Sequence, residues 1–193
     1  MKKFIILMIA AVALQSCKKD KNEVDPNIHF SVPSDAILRY TDPIPALDIN
    51  GDGIRDAGLA VYLYMEDGWA IEHYYIYPED HTDIAVENEG DGIAYGTNKK
   101  IALALETNGR WYNKRTVLFE KRFKANQIVF TGNWKNAQGK YLGMRIKKDG
   151  KFYYGWLKMS HSIADDNATS LVISRMAIQT KADKDIKTID KKK

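Results

Sequence analysis

The chain carries one cysteine in 193 residues, which excludes an intrachain disulfide framework and any multi-cysteine zinc site. With only 5 prolines and 13 glycines beside 45% hydrophobic residues, it is neither collagen-like nor of the disordered class. No apolar run approaches the roughly 20 residues that a membrane-spanning helix needs. Reaction motifs are missing as well: there is no HExxH, no Gly-x-Ser-x-Gly, no phosphate-binding loop and no dinucleotide fingerprint. The four histidines, His29, His73, His81 and His161, include no close i, i+4 pair, so zinc has no support. His81 and Asp83 come nearest to a catalytic pair, and a solvated polar turn after Pro78 is the preferred reading of them. Glu72, Glu79, Glu87, Glu106 and Glu120 offer carboxylates whose separations a sequence does not give. No catalytic residue is assigned, and an envelope hydrolase ranks last among the readings.

What is present begins at the first residues. Lys2 and Lys3 precede an apolar run from Phe4 to Leu14, then Gln15, Ser16 and Cys17, the layout of an exported chain's signal peptide over 1–16. The tetrapeptide Leu14-Gln15-Ser16-Cys17 resembles the lipobox of bacterial lipoproteins. That resemblance implies cleavage before Cys17, lipid on its sulfur, and an anchor without a transmembrane helix. An ordinary secretory signal is the alternative. The location expected is the cell envelope of a Gram-negative bacterium, at the outer membrane, with the periplasmic and surface faces both open. Losing Lys2 and Lys3 lowers the basic count from 29 to 27 against 25 acidic residues, so nucleic acid is not an expected partner. Residues 17–27 read as a polar tether. Residues 181–193, with six lysines and three aspartates, read as a charged flexible tail.

Between 28 and 180 the pattern is strand after strand, alternating apolar and polar residues and rich in aromatic and β-branched types. Ten strands are expected: 28–32, 58–65, 70–77, 83–87, 100–105, 115–123, 127–131, 140–147, 151–159 and 170–179. Asp149-Gly150 is the clearest hairpin turn, and Glu66-Asp67-Gly68 and Asn108-Gly109 belong to the same family. A short helical turn near 34–40 is the one exception. The fold class expected is all-β, an antiparallel β-sandwich or jelly roll of about ten strands, with a closed barrel as runner-up.

One segment carries chemistry. Asp48, Asn50, Asp52 and Asp56, with the carbonyl of Ile54, place oxygens at positions 1, 3, 5, 9 and 7 of a calcium loop, and Gly53 falls at its sharp turn. Leu59 replaces the bidentate Glu of an EF-hand, so the loop stands without the hand. A Ca²⁺ ion held there would be structural. An Asp/Asn/Gly turn with no ion is the competing reading, and Glu87 to Gly92 reads as a plain loop.

The aromatics leave two readings open. Tyr62 and Tyr64 share one face of their strand and Val61, Leu63 and Met65 the other, so the tyrosines face either solvent or a second sheet. An exposed row would suit a polysaccharide ligand, whereas core packing is the ordinary role of tyrosine on strands.

The loop DINGDGIRD and the later stretch YLGMRIKKDGKFYYGWLKM, leading into SLVISRMAIQT, together resemble a group of small exported bacterial β-sandwich proteins, often lipoproteins. The resemblance covers about a fifth of the chain. It implies fold and location, with Tyr154-Gly155-Trp156 as a core hairpin, and implies no activity. The expected partners are the membrane, through Cys17, and a polysaccharide or an envelope protein.

Overall fold

A computed structural model describes residues 25–33, 37–42, 46–106, 108–164 and 168–189. The apolar leader, Cys17 and most of the tether lie outside them. The described chain is all-β, in an antiparallel sandwich. Its strands are β1 (Ile28–Ser31), β2 (Ile37–Leu38), β3 (Ala46–Leu47), β4 (Ala57–Glu66), β5 (Trp69–Pro78), β6 (Thr82–Val86), β7 (Lys100–Ile101), β8 (Arg110–Tyr112), β9 (Thr116–Lys124), β10 (Gln127–Thr131), β11 (Lys140–Lys148), β12 (Lys151–Ile163), β13 (Thr169–Gln179) and β14 (Ile186–Lys187). A seven-stranded sheet runs β1-β13-β12-β11-β6-β8, with β2 also on β13; a five-stranded sheet runs β10-β9-β5-β4-β3.

All ten expected strands form, although only Lys100–Ile101 of the 100–105 segment is strand. The expected turns at Asp67-Gly68 and Asp149-Gly150 take positive φ at both residues, as a two-residue hairpin of the primed type requires. Near 34–40 the expected helical turn is not what the described part shows: Ile37 and Leu38 pair with Val172 and Leu171. Leu38 is buried in the core, and its burial outweighs a weak local capping signal.

The two sheets enclose one apolar core. Leu59, Tyr74, Ile76 and Phe119 from the five-stranded sheet meet Ile84, Met144, Leu157, Ile173 and Ile178 from the seven-stranded sheet. Tyr74 stacks on Phe119, with ring centroids 4.1 Å apart, and its hydroxyl donates to the Thr169 carbonyl at 3.0 Å. That bond satisfies a polar atom the core would otherwise strand.

The seven-stranded sheet is buried on its second face too. Tyr154 and Trp156 of β12, Tyr141 of β11 and Ala177 of β13 form a second cluster with Ile93, Tyr95, Ile101 and Ile186. Apolar residues on both faces explain why β12 reads as a nearly continuous hydrophobic run. Gly155 is required in it, because a Cβ there would stand 2.6 Å from the Ala177 carbonyl oxygen. The cover is the segment 93–105 together with the C-terminal run, clipped by the β7–β14 pair.

Residues 181–189 therefore do not form the solvated tail their charge suggests. Ile186 and Thr188 are buried, the Trp156 indole donates to the Lys187 carbonyl at 3.0 Å, and the Thr188 hydroxyl accepts from the Lys99 amide and donates to the Gly96 carbonyl, both at 2.8 Å. At the other end, Asp25 accepts from Lys184 at 2.5 Å, so the folded part begins inside the expected tether.

His161 is 4% exposed, packed by Phe119 and Phe130. Its Nδ1 contacts the Lys135 carbonyl, and its Nε2 is buried with no partner among the described residues. Burial lowers its pKa below the ordinary 6.5. The unfolded chain therefore takes up a proton that the folded chain refuses, and stability falls as pH drops below about 6.5. Thermal melts from pH 8 to pH 5 are expected to show this loss, and H161Q is expected to flatten the slope.

Candidate functional site

With the seven-stranded sheet covered on both sides, the outer face of the five-stranded sheet is the open one. Register fixes who stands on it: Tyr62 faces His73 and Tyr64 faces Ile71 across β4–β5, while His73 faces Glu120 and Ile71 faces Arg122 across β5–β9. Strand parity keeps Tyr75 and Tyr77 on the face of His73, and a bulge on β9, where Leu118 is the extra residue, sets Tyr75 opposite Val117. The aromatic rings form a connected row. Centroid separations are 6.1 Å for Tyr62–Tyr64, 5.1 Å for Tyr64–His73, 5.4 Å for His73–Tyr75 and 5.9 Å for Tyr75–Tyr77. Tyr62 is 58% exposed. Tyr75 is buried within the row, with the Arg115 guanidinium 4.6 Å over its ring, a cation–π contact.

The centre of the row is a hydrogen-bonded cluster. His73 Nε2 meets the Glu120 carboxylate and lies 3.1 Å from the Tyr64 hydroxyl. Nδ1 lies 2.8 Å from the Tyr75 hydroxyl. In the neutral ring, an Nε2 proton donated to Glu120 leaves Nδ1 as the acceptor for Tyr75. Arg122 Nε donates to Glu120 Oε1 at 2.5 Å and the Thr131 hydroxyl donates to the same oxygen at 3.3 Å. Burial raises the Glu120 carboxyl, yet the bonds from Arg122 and His73 outweigh it and hold the group below its ordinary value. Burial raises both Tyr64 and Tyr75, so their hydroxyls stay protonated at neutral pH. The result is a fixed set of donors and acceptors among aromatic rings, held by four strands, β4, β5, β9 and β10.

The loop of Asp48, Asn50, Asp52, Ile54 and Asp56 lies at the edge of the same sheet, between β3 and β4. Its side chains shape it from within. Asp48 Oδ1 accepts from the Gly51 and Asp52 amides at 2.7 and 3.2 Å, and Oδ2 from Gly53 at 2.8 Å. Asn50 accepts from the Asp52 amide at 2.8 Å, and Asp52 from the Ile54 amide at 3.0 Å. Gly51 and Gly53 take φ of 76° and 83°, values that favour glycine. The Ile54 amide, with help from Lys148 at 3.3 Å, holds the Asp52 carboxyl below its ordinary value. The Ile54 side chain is 60% exposed, and Ile49, wholly buried, pins the loop to the core.

Asp56 stands apart from the other loop oxygens. It is wholly buried, with Oδ2 accepting from the Ile49 amide at 2.7 Å and Oδ1 lying 3.0 Å from His81 Nε2. Burial pushes its pKa up against those bonds. Its backbone is tied on both sides, to the Leu47 carbonyl and the Glu79 amide. His81 thus pairs with Asp56, while Asp83 binds Arg145 at 2.6 Å, and the His81–Asp83 pairing does not form. Among the described residues, no three His, Cys, Asp or Glu side chains converge to hold a metal. A cleft of ≈ 340 Å³ opens beside the loop, lined among others by His29, Asp52, Lys148, Tyr153 and Ile178.

Asp56→Ala removes the acceptor for a buried amide and the partner of His81. Urea unfolding is expected to show a loss of about 1–3 kcal/mol, the cost of leaving a buried donor unpaired. No protein-family model, curated protein or solved structure matches the chain, so a functional reading has to come from the geometry of these two regions.

Proposed function

We propose that the chain is a lipid-anchored module of the cell envelope that binds glycans on the outer face of its five-stranded sheet, with calcium holding the 48–56 loop. The observation that carries this reading is the connected row of Tyr62, Tyr64, His73, Tyr75 and Tyr77 on the outer face of the five-stranded sheet, with Tyr62 exposed and Tyr75 buried. Sugar rings present apolar C–H faces edged by hydroxyls. Aromatic faces pack on the former, and preorganised donors and acceptors such as Arg122, Glu120 and the tyrosine hydroxyls bond the latter. Tyrosine suits the task because it offers a large rigid contact area at low entropic cost. The pairing of His73 with Glu120 serves recognition in this reading, holding the Tyr64 and Tyr75 hydroxyls in place.

Calcium fits the chemistry of the loop in part. Asp48, Asn50, Asp52 and the Ile54 carbonyl are hard oxygen donors at the right spacing. Each carboxylate or amide oxygen that accepts one loop amide retains a lone pair for an ion. Asp56 serves this site as the buried anchor that fixes where the loop leaves β3 and enters β4. A structural ion with a constant near 0.1 mM would add about 1.4 kcal/mol at millimolar calcium. Cys17, as the lipidated residue, would hold the domain at the membrane.

Two measurements test these parts separately. On polysaccharide arrays, Tyr62→Ala and Tyr64→Ala are each expected to weaken binding by about tenfold, the equivalent of about 1.4 kcal/mol; unchanged binding by both variants would remove the tyrosine face from the account. Thermal melts in millimolar calcium and in chelator are expected to differ by several degrees, with the difference gone in Asp52→Ala. Equal melts would remove the ion and leave the glycan face standing.

A further inference from the structure

The edges of the two sheets are unequal. At β1, β2, β3 and β8 the edge strands run four, two, two and three residues, short enough to discourage another strand from adding. β10 is different: Gln127–Thr131 runs five residues, ends the five-stranded sheet, and contains no charge, no proline and no bulge. Proteins ordinarily protect such an edge with one of those devices. Ile128 and Val129 are 38% and 44% exposed.

From the edge of β10, the geometry points to a second copy of this chain, pairing antiparallel with its own β10 about a two-fold axis at Val129. The turn at Ala125-Asn126 joins Lys124 to Gln127, so these two form a hydrogen-bonded pair and the odd-numbered residues of β10 spend their backbone groups on β9. The N–H and C=O of Ile128 and Phe130 therefore point outward, and no backbone partner for them occurs among the described residues. A two-fold axis at Val129 sets Ile128 opposite Phe130 of the second copy. That is the register in which those outward groups exchange four hydrogen bonds. Val129 then meets its own symmetry mate as the close, non-hydrogen-bonded pair, with Cα atoms about 4.5 Å apart.

The side chains agree with the backbone. Under that axis Gln127 faces Thr131, polar against polar, and Ile128 faces Phe130, apolar against apolar, with no charges opposed. Ile128 and Phe130 share the face that carries Phe123 and Lys121, and Val129 shares the tyrosine face with Arg122. The five-stranded sheets become one ten-stranded sheet, and the two aromatic rows lie on the same side of it. Their β5 strands stand five strand spacings apart, about 24 Å. A repeating polymer would reach both rows at once and gain avidity from the link. The pairing itself needs nothing from the glycan reading.

The test uses the full-length chain in detergent. Sedimentation equilibrium is expected to give a mass near twice that of one chain. Ile128→Pro is expected to return it to one chain with an unchanged far-ultraviolet spectrum, since that N–H faces solvent in the single copy and proline is tolerated there. Independently, Val129→Cys is expected to crosslink on mild oxidation above the wild-type background. Thr131→Cys is not, because its symmetry mate stands four residues away along the strand, about 13 Å and beyond disulfide reach. A single-chain mass for the wild type, a dimer untouched by Ile128→Pro, equal crosslinking at 129 and 131, or a Val129→Cys crosslink to a different protein would each overturn the proposal.

Discussion

Burial of the seven-stranded sheet on both faces is the constraint from which the rest of the molecule follows. Its inner face meets the five-stranded sheet through Met144, Leu157 and Ile178, and its outer face is closed by Tyr95, Ile101 and Ile186 over Trp156. Residues 93–105 and 183–189 are long, weakly structured segments that would lie loose on an ordinary sandwich. Here they are spent as a third layer, clipped by Thr188 and by the Trp156 indole. The consequence is an asymmetry between the sheets. A face built of tyrosine, histidine, glutamate and arginine remains open on the five-stranded side.

The same asymmetry runs through the polar groups. Where the chain buries a charge it supplies a partner: Asp56 with Ile49 and His81, Glu120 with Arg122 and His73, and Glu72 with Lys121 at 3.7 Å. These pairs tie together segments distant in sequence, and a buried pair fixes register at least as much as it adds stability. Asp56 shows this most clearly. It locks the exit of the 48–56 loop to the β5–β6 turn, so the rest of the loop stays at the surface with its oxygens grouped. A loop fixed at its buried end and open at the other is a natural clip, with or without an ion.

Much of the fold was legible in the sequence. Period-two alternation marked most long strands and a nearly continuous apolar run marked β12, while Asp-Gly pairs marked two hairpins, because one residue type at one position decides a primed turn. The short strands β2, β3, β8 and β14 escaped, since two or three residues carry no period. The C-terminal run escaped for a different reason: its lysines and aspartates dominate the composition, while the docking falls to Ile186, Thr188 and the Lys187 carbonyl. At the site, the shared face of Tyr62 and Tyr64 was readable from parity, but whether that face was open was not. His73 and Glu120 lie 47 residues apart and are joined only through the β5–β9 register. No local pattern encodes that pairing. A hint did exist, in that His73 shares strand parity with Tyr75 and Tyr77. The partnership of Asp56 with His81 was likewise hidden, because the spacing that suits a calcium ligand suits a buried anchor equally well.

The open tyrosine face is the centre of the functional account, and ring signals report on it directly. We would label the tyrosines with ¹³C in the folded protein and follow their ring resonances by NMR during titration with the oligosaccharide of any polymer it binds. The account predicts saturable shifts at Tyr62, Tyr64 and Tyr77, with Tyr74 in the core and Tyr153 beside the cleft unmoved. Shifts at Tyr153 with silence from the row would place the ligand in the cleft beside the 48–56 loop and contradict it.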